Sequence, residues 1–285
     1  MTSIASFEGL TAVVTGGGNG IGRGIALAFA RAGAHVAVLD VQAEAAASAA
    51  KALGAEARAG ARAIGLACDV TSAASLDAAR DAVLDAFGAV HVLSTNAGVV
   101  LPQSPMDARS EDDWRYVFEV NVFGIVASVR AFLPALRAAR GRGEPAHVVN
   151  TSSMAGLLAF PGLQVGIYTA SKMACAGYTE ILRGELAAEG IGVSSLCPGF
   201  VLTELSATSA RNRPARFGGP SAPPAGEVPE ALRATALQPE QVGPIVLDGI
   251  RANRAWIFTD RNVGPAIEAR GAALLADLDA LRARA

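Results

Sequence analysis

The chain has few of the residues that build covalently linked or metal-held folds. It carries three cysteines, Cys68, Cys175 and Cys197, among 285 residues. They are far apart, odd in number and never in C-x-x-C spacing. That excludes a disulfide framework or a cysteine zinc site and points to reduced thiols in the cytoplasm. The three histidines, His35, His91 and His147, are equally scattered. Each precedes or opens a valine-rich run, a strand-edge place rather than a ligand cluster, so no metal is expected. An excess of one charge is lacking too. The formal net charge is −2, which gives no broad attraction to nucleic acid or an anionic membrane. The local run around Arg137, Arg140 and Arg142 reads as a solvated helix end. No stretch approaches the ~20 apolar residues that span a bilayer. The opening MTSIASFEGL has no basic region followed by an apolar one, so no secretory signal is expected.

What is present is an alternation. Short β-branched runs stand at 11–15 (TAVVT), 35–40 (HVAVLD), 63–69 (AIGLACD), 90–95 (VHVLST), 146–152 (AHVVNTS), 192–198 (GVSSLCP) and 255–259 (AWIFT). Segments with helical spacing lie between them, at 25–32, 43–53, 73–87, 111–139 and 168–189. Nearly all-apolar strands separated by helices predict a Rossmann-type, doubly wound parallel sheet of about seven strands with helices on both faces. Hydrophobic residues make up 51% of the chain, enough for a large core, and one α/β domain over residues 1–285 is expected. Residues 206–230 break the rhythm with Pro, Gly, Ala and Ser. They predict a substrate lid, about 203–236. A terminal helix is expected over about 264–285.

Between the first strand and first helix stands GGGNGIG, residues 16–22. Glycine gives up more conformational freedom on folding than any other residue, so this turn needs bare backbone. A phosphate group approaching a helix N-terminus would use it. Strict G-x-G-x-x-G spacing is absent, and no Gly-Lys-Ser/Thr follows, so a Walker-type loop is excluded. On this feature alone a glycine turn without a ligand remains an alternative. Asp40, 18 residues past Gly22, ends the second strand. A carboxylate there accepts from the adenosine ribose hydroxyls and repels a 2′-phosphate. Asn19 and Val41 are not basic, so nothing beside it compensates. The pattern favours NAD over NADP.

Further on stands YTASK, Tyr168 to Lys172. Positions i and i+4 of a helix share a face, so a lysine ammonium is placed near the phenol. A free tyrosine has a pKa near ~10, and a neighbouring cation favours the phenolate.

Together these segments resemble the short-chain dehydrogenase/reductase family. The carrying motifs, in order, are TGGGNGIG (15–22), CDV (68–70), TNAG (95–98), VNVFG (120–124), NTSSMAG (150–156), YTASK (168–172) and PGFVLT (198–203). The resemblance covers about residues 7–260. It implies that Tyr168 is the general acid/base and that Lys172 lowers its pKa and holds the nicotinamide ribose. It implies that Ser153 bonds the substrate oxygen and that Asn121 holds a water for proton relay. For the cofactor it implies Gly16, Gly20, Ile21 and Gly22 at the pyrophosphate, with Asp69 and Val70 at the adenine. Asn96, Ala97 and Gly98 would pass under the ribose, and Pro198, Gly199, Val201 and Thr203 would meet the nicotinamide end. The chain would then be an NAD-dependent alcohol dehydrogenase or carbonyl reductase, a homodimer or homotetramer. Three departures stand out. Thr95 replaces the usual asparagine at a structural position. Tyr168 follows Ser153 by 15 residues, two more than is usual, so the intervening segment must bulge and reshape the pocket. The chain also runs 26 residues past AWIFT, which bears on an interface that the family forms there.

Substrate contacts are expected from Val99, Val100, Leu101, Gln103, Leu157, Leu158, Phe160, Phe200 and Thr203. No arginine cluster marks an anion site. This predicts a bulky, mostly apolar secondary alcohol or ketone of aryl, terpenoid or steroid-like type. Two alternatives compete. One is an NADPH-linked 3-oxoacyl-thioester ketoreductase, disfavoured by Asp40. The other is a non-catalytic NAD-binding sensor, disfavoured by the intact Ser153, Tyr168 and Lys172.

Overall fold

The computed structural model describes residues 4–222 and 230–282. Seven parallel strands form one sheet: β1 (Thr11–Thr15), β2 (His35–Asp40), β3 (Ala63–Ala67), β4 (Val92–Thr95), β5 (His147–Thr151), β6 (Gly192–Cys197) and β7 (Trp256–Phe258). Their spatial order is β3-β2-β1-β4-β5-β6-β7. The order reverses between β1 and β4, the place where a doubly wound sheet opens a crevice at its strand C-termini.

Strand alternation sorts side chains to the two faces. On one face Val14, Val36, Val38, Val149 and Leu196 pack with Ile25 and Phe29 of α1 (Gly20–Arg31), Leu53 of α2 (Ala43–Glu56) and Val242 and Val246. On the other, Val13, Leu39, Leu93 and Val148 meet Leu76 of α3 (Ala73–Phe87), together with Phe132, Leu136 and Leu182. Burying each such side chain is worth roughly 1.5–3 kcal/mol. Because both faces are covered, the strands read as nearly continuous apolar runs, and the seven expected strands appear in place.

Three expectations about helices change. The helix expected over 111–139 is α4 (Glu111–Phe118), a π-helical turn (Glu119–Phe123) and α5 (Gly124–Gly141). Its 18-residue apolar window reaches a mean hydropathy of 1.5, enough by length and composition to cross a membrane, contrary to expectation, yet half of it is buried in this fold. Val129, Phe132 and Leu136 of α5 pack on the sheet. The helix of YTASK, α6, spans Gly166–Leu186. The segment expected as a lid carries α7 (Leu205–Arg211), a 3₁₀ turn (Ala215–Phe217) and α8 (Glu230–Arg233), while 223–229 lie outside the described residues. Helix α9 (Pro239–Arg251) was not foreseen. It has proline at its start and a capping box between Gln238 and Gln241, signals that mark a helix start. The terminal helix, α10 (Gly264–Arg282), has no buried residue.

All three histidines stand at strand N-terminal ends, as expected. His91 Nδ1 accepts from the backbone N–H of Thr11 at 2.9 Å. Ser194 Oγ donates to the Arg254 carbonyl at 2.6 Å, so it accepts from His147 Nε2 at 2.8 Å, which makes His147 the neutral Nε2–H tautomer. Burial, with Arg183 nearby, pushes its pKa down to about 3. The unfolded chain therefore binds a proton that the folded one refuses, at pH values between about 3 and 6.5. Stability from this group is complete above pH 6.5 and is lost as pH falls. The Tm between pH 7 and 5 should fall more steeply in the wild type than in His147→Asn. Parallel slopes would assign the acid sensitivity elsewhere.

Candidate active site

A cleft of about 1500 Å³ runs along the C-terminal ends of the strands. Its first wall is the glycine turn. Gly16 has φ +60°, and a Cβ there would lie 2.7 Å from Ala97 Cα. A Cβ on Gly22 would lie 2.2 Å from the Gly16 carbonyl oxygen. Any side chain at either position would force apart the turn and the TNAG segment. That segment is bonded to the same strand: Asn96 N–H and Ala97 N–H donate to Thr15 Oγ1 at 3.0 and 3.2 Å, and Asn96 Nδ2 donates to the Gly16 carbonyl at 3.1 Å. Helix α1 then starts behind Asn19, whose side chain makes no cap bond, so its first N–H groups are offered to the cleft. Gly16, Asn19, Gly20 and Ile21 line the cleft. Gly22 is fully buried beneath the turn and shapes it from below.

At the end of β2, Asp40 accepts from Gly18 N–H at 3.0 Å through Oδ2 and from Gln42 N–H at 3.0 Å through Oδ1. An ionised carboxylate has about four acceptor sites, so two remain for hydroxyl donors in the cleft. Val41, Asp69 and Val70 line the cleft too, as do Asn96, Ala97 and Gly98 of the TNAG segment and Pro198, Gly199, Val201 and Thr203 after β6.

Strand β5 delivers the polar centre. Its two serines differ in what they have left to give. Ser152 is buried and its hydroxyl donates to the Lys172 carbonyl at 2.8 Å. Ser153 Oγ accepts from Ala155 N–H at 3.1 Å, and its O–H has no acceptor among the described residues. Ser153, Tyr168 and Lys172 all line the cleft. The Lys172 ammonium donates to the Thr151 carbonyl at 2.9 Å and stands 5.6 Å from the Tyr168 ring centroid. It is 3% exposed. One bond leaves an ammonium two further donors, and a buried charge calls for partners.

Asn121 sits in the π-helical turn, fully buried and outside the cleft wall. Its Oδ1 accepts from Val99 N–H at 2.7 Å, and its Nδ2 donates to the Val99 carbonyl at 2.9 Å and Ser171 Oγ at 3.0 Å. Its carbonyl accepts from the Cys175 thiol at 2.8 Å. The side chain thus ties the segment after TNAG to α6. Thr95 Oγ1 donates to Asn150 Oδ1 at 2.7 Å, a cross-strand bond that fits its structural reading. Burial pushes the Cys68 and Cys197 thiols up to about 11, so both stay protonated and inert at neutral pH.

The longer Ser–Tyr segment forms a 3₁₀ turn at Pro161–Leu163, followed by Gln164 at φ +49°. It puts Phe160, Leu163 and Val165 on the cleft wall. Val99, Val100, Leu101, Gln103, Leu158 and Phe200 are also there. Leu157 is not. It packs with Met154, Leu158, Cys197 and Trp256, because the 3₁₀ turn at Met154–Gly156 rotates it away and presents its neighbour. The segment expected as a lid does line the cleft, through Ser209, Asn212, Arg216 and Phe217, residues that sequence reasoning does not single out. It misses altogether the stretch after β7, through Asp260, Arg261, Val263 and Ala266, which arrives from far along the chain and carries no local pattern. Among the described residues no three His, Cys, Asp or Glu side chains are grouped to hold a metal.

The residues present fit a nicotinamide dinucleotide: bare backbone at a helix start, a carboxylate at the end of β2, and a buried ammonium with free donors. Comparison with known proteins agrees. The family model for short chain dehydrogenases matches residues 10–214. The chain is 33% identical over 202 residues to 1-deoxy-11-beta-hydroxypentalenate dehydrogenase of Streptomyces exfoliatus, covering 70% of this chain and 66% of that protein. It is 35% identical over 138 residues to 3-alpha-(or 20-beta)-hydroxysteroid dehydrogenase of Mycobacterium tuberculosis, about half the length of each. Among solved structures, a short chain dehydrogenase/reductase from Burkholderia phymatum in complex with NAD superposes with a TM-score of 0.83 and 36% identity, over 96% of this chain and 97% of that one. The glycine turn, the Tyr-x-x-x-Lys helix and these likenesses lead to one conclusion: the chain belongs to the short-chain dehydrogenase/reductase family.

Proposed function

We propose that the protein is an NAD-dependent oxidoreductase that interconverts a bulky, mostly apolar secondary alcohol and its ketone. The observation that carries this reading is the pairing of two uncommitted hydroxyls in one cleft. Among the described residues neither the Ser153 O–H nor the Tyr168 hydroxyl has a protein acceptor, while Lys172 stands between Tyr168 and the strand end.

Ser153 donates to the substrate oxygen and stabilises the charge that develops on it. Tyr168 takes the alcohol proton during oxidation and returns it during reduction. Lys172 keeps a positive charge beside the phenol and offers its free donors to the ribose. The nicotinamide ring, when bound, supplies the hydride acceptor or donor. A Cβ on Gly98 would fall 3.3 Å from Asn121 Oδ1 and 3.5 Å from Lys172 Nζ. Asn121 and Lys172 thus flank the same backbone position, and the proton relay through Asn121 belongs to the same proposal. Gly16, Asn19, Gly20, Ile21, Asp40, Val41, Asp69, Val70, Asn96, Ala97, Gly98, Pro198, Gly199, Val201 and Thr203 hold the dinucleotide, with Gly22 beneath the turn.

Two features support the substrate class. Typical small-molecule pockets measure roughly 300–1,000 Å³, so a cleft of about 1500 Å³ takes a dinucleotide and a large second molecule. Its lining includes the apolar Phe160, Leu163, Phe200 and Phe217, together with Val100 and Gln103. The similar dehydrogenases act, by their names, on a hydroxypentalenate and on hydroxysteroids, which supports a steroid-like class. A homodimer or homotetramer in the cytoplasm belongs to the same proposal.

Asp40→Ala tests the cofactor assignment. Hydrogen bonds to a charged group are worth about 1.5–3 kcal/mol, so kcat/KM with NAD should fall about tenfold to a hundredfold. The rate with NADP should hold or rise. A wild type that prefers NADPH would overturn the assignment to NAD, and turnover confined to small hydroxy acids would overturn the substrate class.

A further inference from the structure

The lid reaches well past the substrate end of the cleft. Its first part stands over that end. Ser209 Oγ accepts from Val100 N–H at 3.0 Å, and the Tyr116 hydroxyl donates to the Ser209 carbonyl at 3.0 Å. The chain then turns along the cleft in the other direction. Asn212 Oδ1 accepts from Gln42 Nε2 at 2.8 Å, and the Gln42 backbone N–H donates to Asp40 Oδ1. Four residues on, Arg216 Nη2 donates to Thr71 Oγ1 at 3.3 Å, and Thr71 Oγ1 donates to Asp69 Oδ1 at 2.8 Å. Each lid side chain thus lands one link away from a carboxylate at the far end, Asp40 in one case and Asp69 in the other. Gln42, Thr71, Asn212 and Arg216 all line the cleft.

The segment is tied down between these two points. Arg213 pairs with Asp113 at 2.7 Å, with side chains only 16% and 14% exposed, and Phe217 is buried against Tyr116. Arg216 also pairs with Glu119 at 3.1 Å. Its guanidinium, on a half-exposed side chain, also lies 4.8 Å from the Phe217 ring centroid, so three neighbours place it at the rim. A planar cation there suits the face of an aromatic base.

We infer that residues 212–216 of the lid clamp the adenosine half of the cofactor, Asn212 with Gln42 over the ribose and Arg216 over the base. This rests on the nicotinamide-dinucleotide reading above. The clamp makes Asn212 and Arg216 cofactor-positioning residues supplied by the substrate lid. The cofactor holds the lid closed before any substrate arrives, and leaves only when the lid opens.

Trypsin reads the lid directly, because it cuts after Arg211 and Arg216, whereas Arg213 precedes Pro214. ADP-ribose carries the adenosine half without nicotinamide. At saturation it should slow cleavage at both bonds at least fivefold, and nicotinamide mononucleotide should slow it less than twofold. In the Asn212→Ala/Arg216→Ala variant, NADH chased by excess NAD should leave about tenfold faster, with its association rate within twofold of the wild type. Protection by nicotinamide mononucleotide but not by ADP-ribose overturns the clamp, as does unchanged NADH release in a variant whose free form melts with the wild type. If the wild type retains neither NADH nor ADP-ribose, the cofactor reading itself fails and the clamp fails with it.

Discussion

Tyr168→Phe is expected to lower kcat for alcohol oxidation about a thousandfold while leaving the Kd for NADH within about twofold. The magnitude follows from what a positioned acid/base contributes, ~10²–10⁴. The specificity follows from geometry. The change removes one oxygen from a side chain that lines the cleft and that has no hydrogen-bonded protein partner for its hydroxyl among the described residues. The ring remains, and with it the contact to the Lys172 ammonium 5.6 Å from its centroid. Lys172 keeps its bond to the Thr151 carbonyl, so the donors proposed to hold the ribose stay in place. A loss confined to kcat is thus the signature of a group used in the reaction rather than in binding. Stopped-flow rates and fluorescence titration of NADH measure the two quantities separately. A kcat within tenfold of the wild type would place the acid/base elsewhere.

Gly22→Ala should abolish dinucleotide binding, raising the Kd for NADH more than a hundredfold, and should lower stability by about 2–3 kcal/mol, the usual cost of overpacking. The added methyl would meet the Gly16 carbonyl oxygen at 2.2 Å and Asn96 Nδ2 at 2.5 Å. Neither neighbour is free to yield. Gly16 is held at φ +60° against Ala97, and Asn96 is bonded to that same carbonyl. Relief therefore means displacing the turn that presents the backbone N–H groups. Gly54→Ala is the control. It also lies inside a helix, α2, but a Cβ there meets nothing within 4 Å. It should gain about 0.5–1 kcal/mol from helix propensity alone and bind NADH as the wild type does. Isothermal titration with both variants and denaturant melts decide the matter. Wild-type affinity in Gly22→Ala would mean that the turn is not the cofactor cradle.

Much of this arrangement could be read from the chain. Strands buried on both faces announce themselves as apolar runs, so HVAVLD and AHVVNTS mapped onto β2 and β5. A short motif fixes a local shape, so GGGNGIG and YTASK located the turn and the helix. What could not be read was long-range. The π-helical turn at Glu119–Phe123 lies within an otherwise unbroken helical pattern. Within it Asn121 reaches across to Val99 and Ser171, partners that no periodicity reveals. Leu157 and Leu158 are adjacent and chemically alike, and only a 3₁₀ turn decides which of them faces the cleft. Asn212 and Arg216 sit in a stretch rich in proline and small residues, which gave no hint that they would meet Gln42, 170 residues away, and Thr71, 145 residues away.

The central claim is that hydride passes between a secondary carbinol carbon and NAD in this cleft. It is tested most directly with a bulky cyclic secondary alcohol bearing deuterium on the carbinol carbon. Incubated with NAD and the wild-type protein, it should yield ketone and reduced cofactor in equal amounts, each reduced cofactor one mass unit heavier than ordinary NADH. Reduced cofactor without deuterium, or no turnover across aryl, terpenoid and steroid-like alcohols by a protein that binds NADH, would contradict the account.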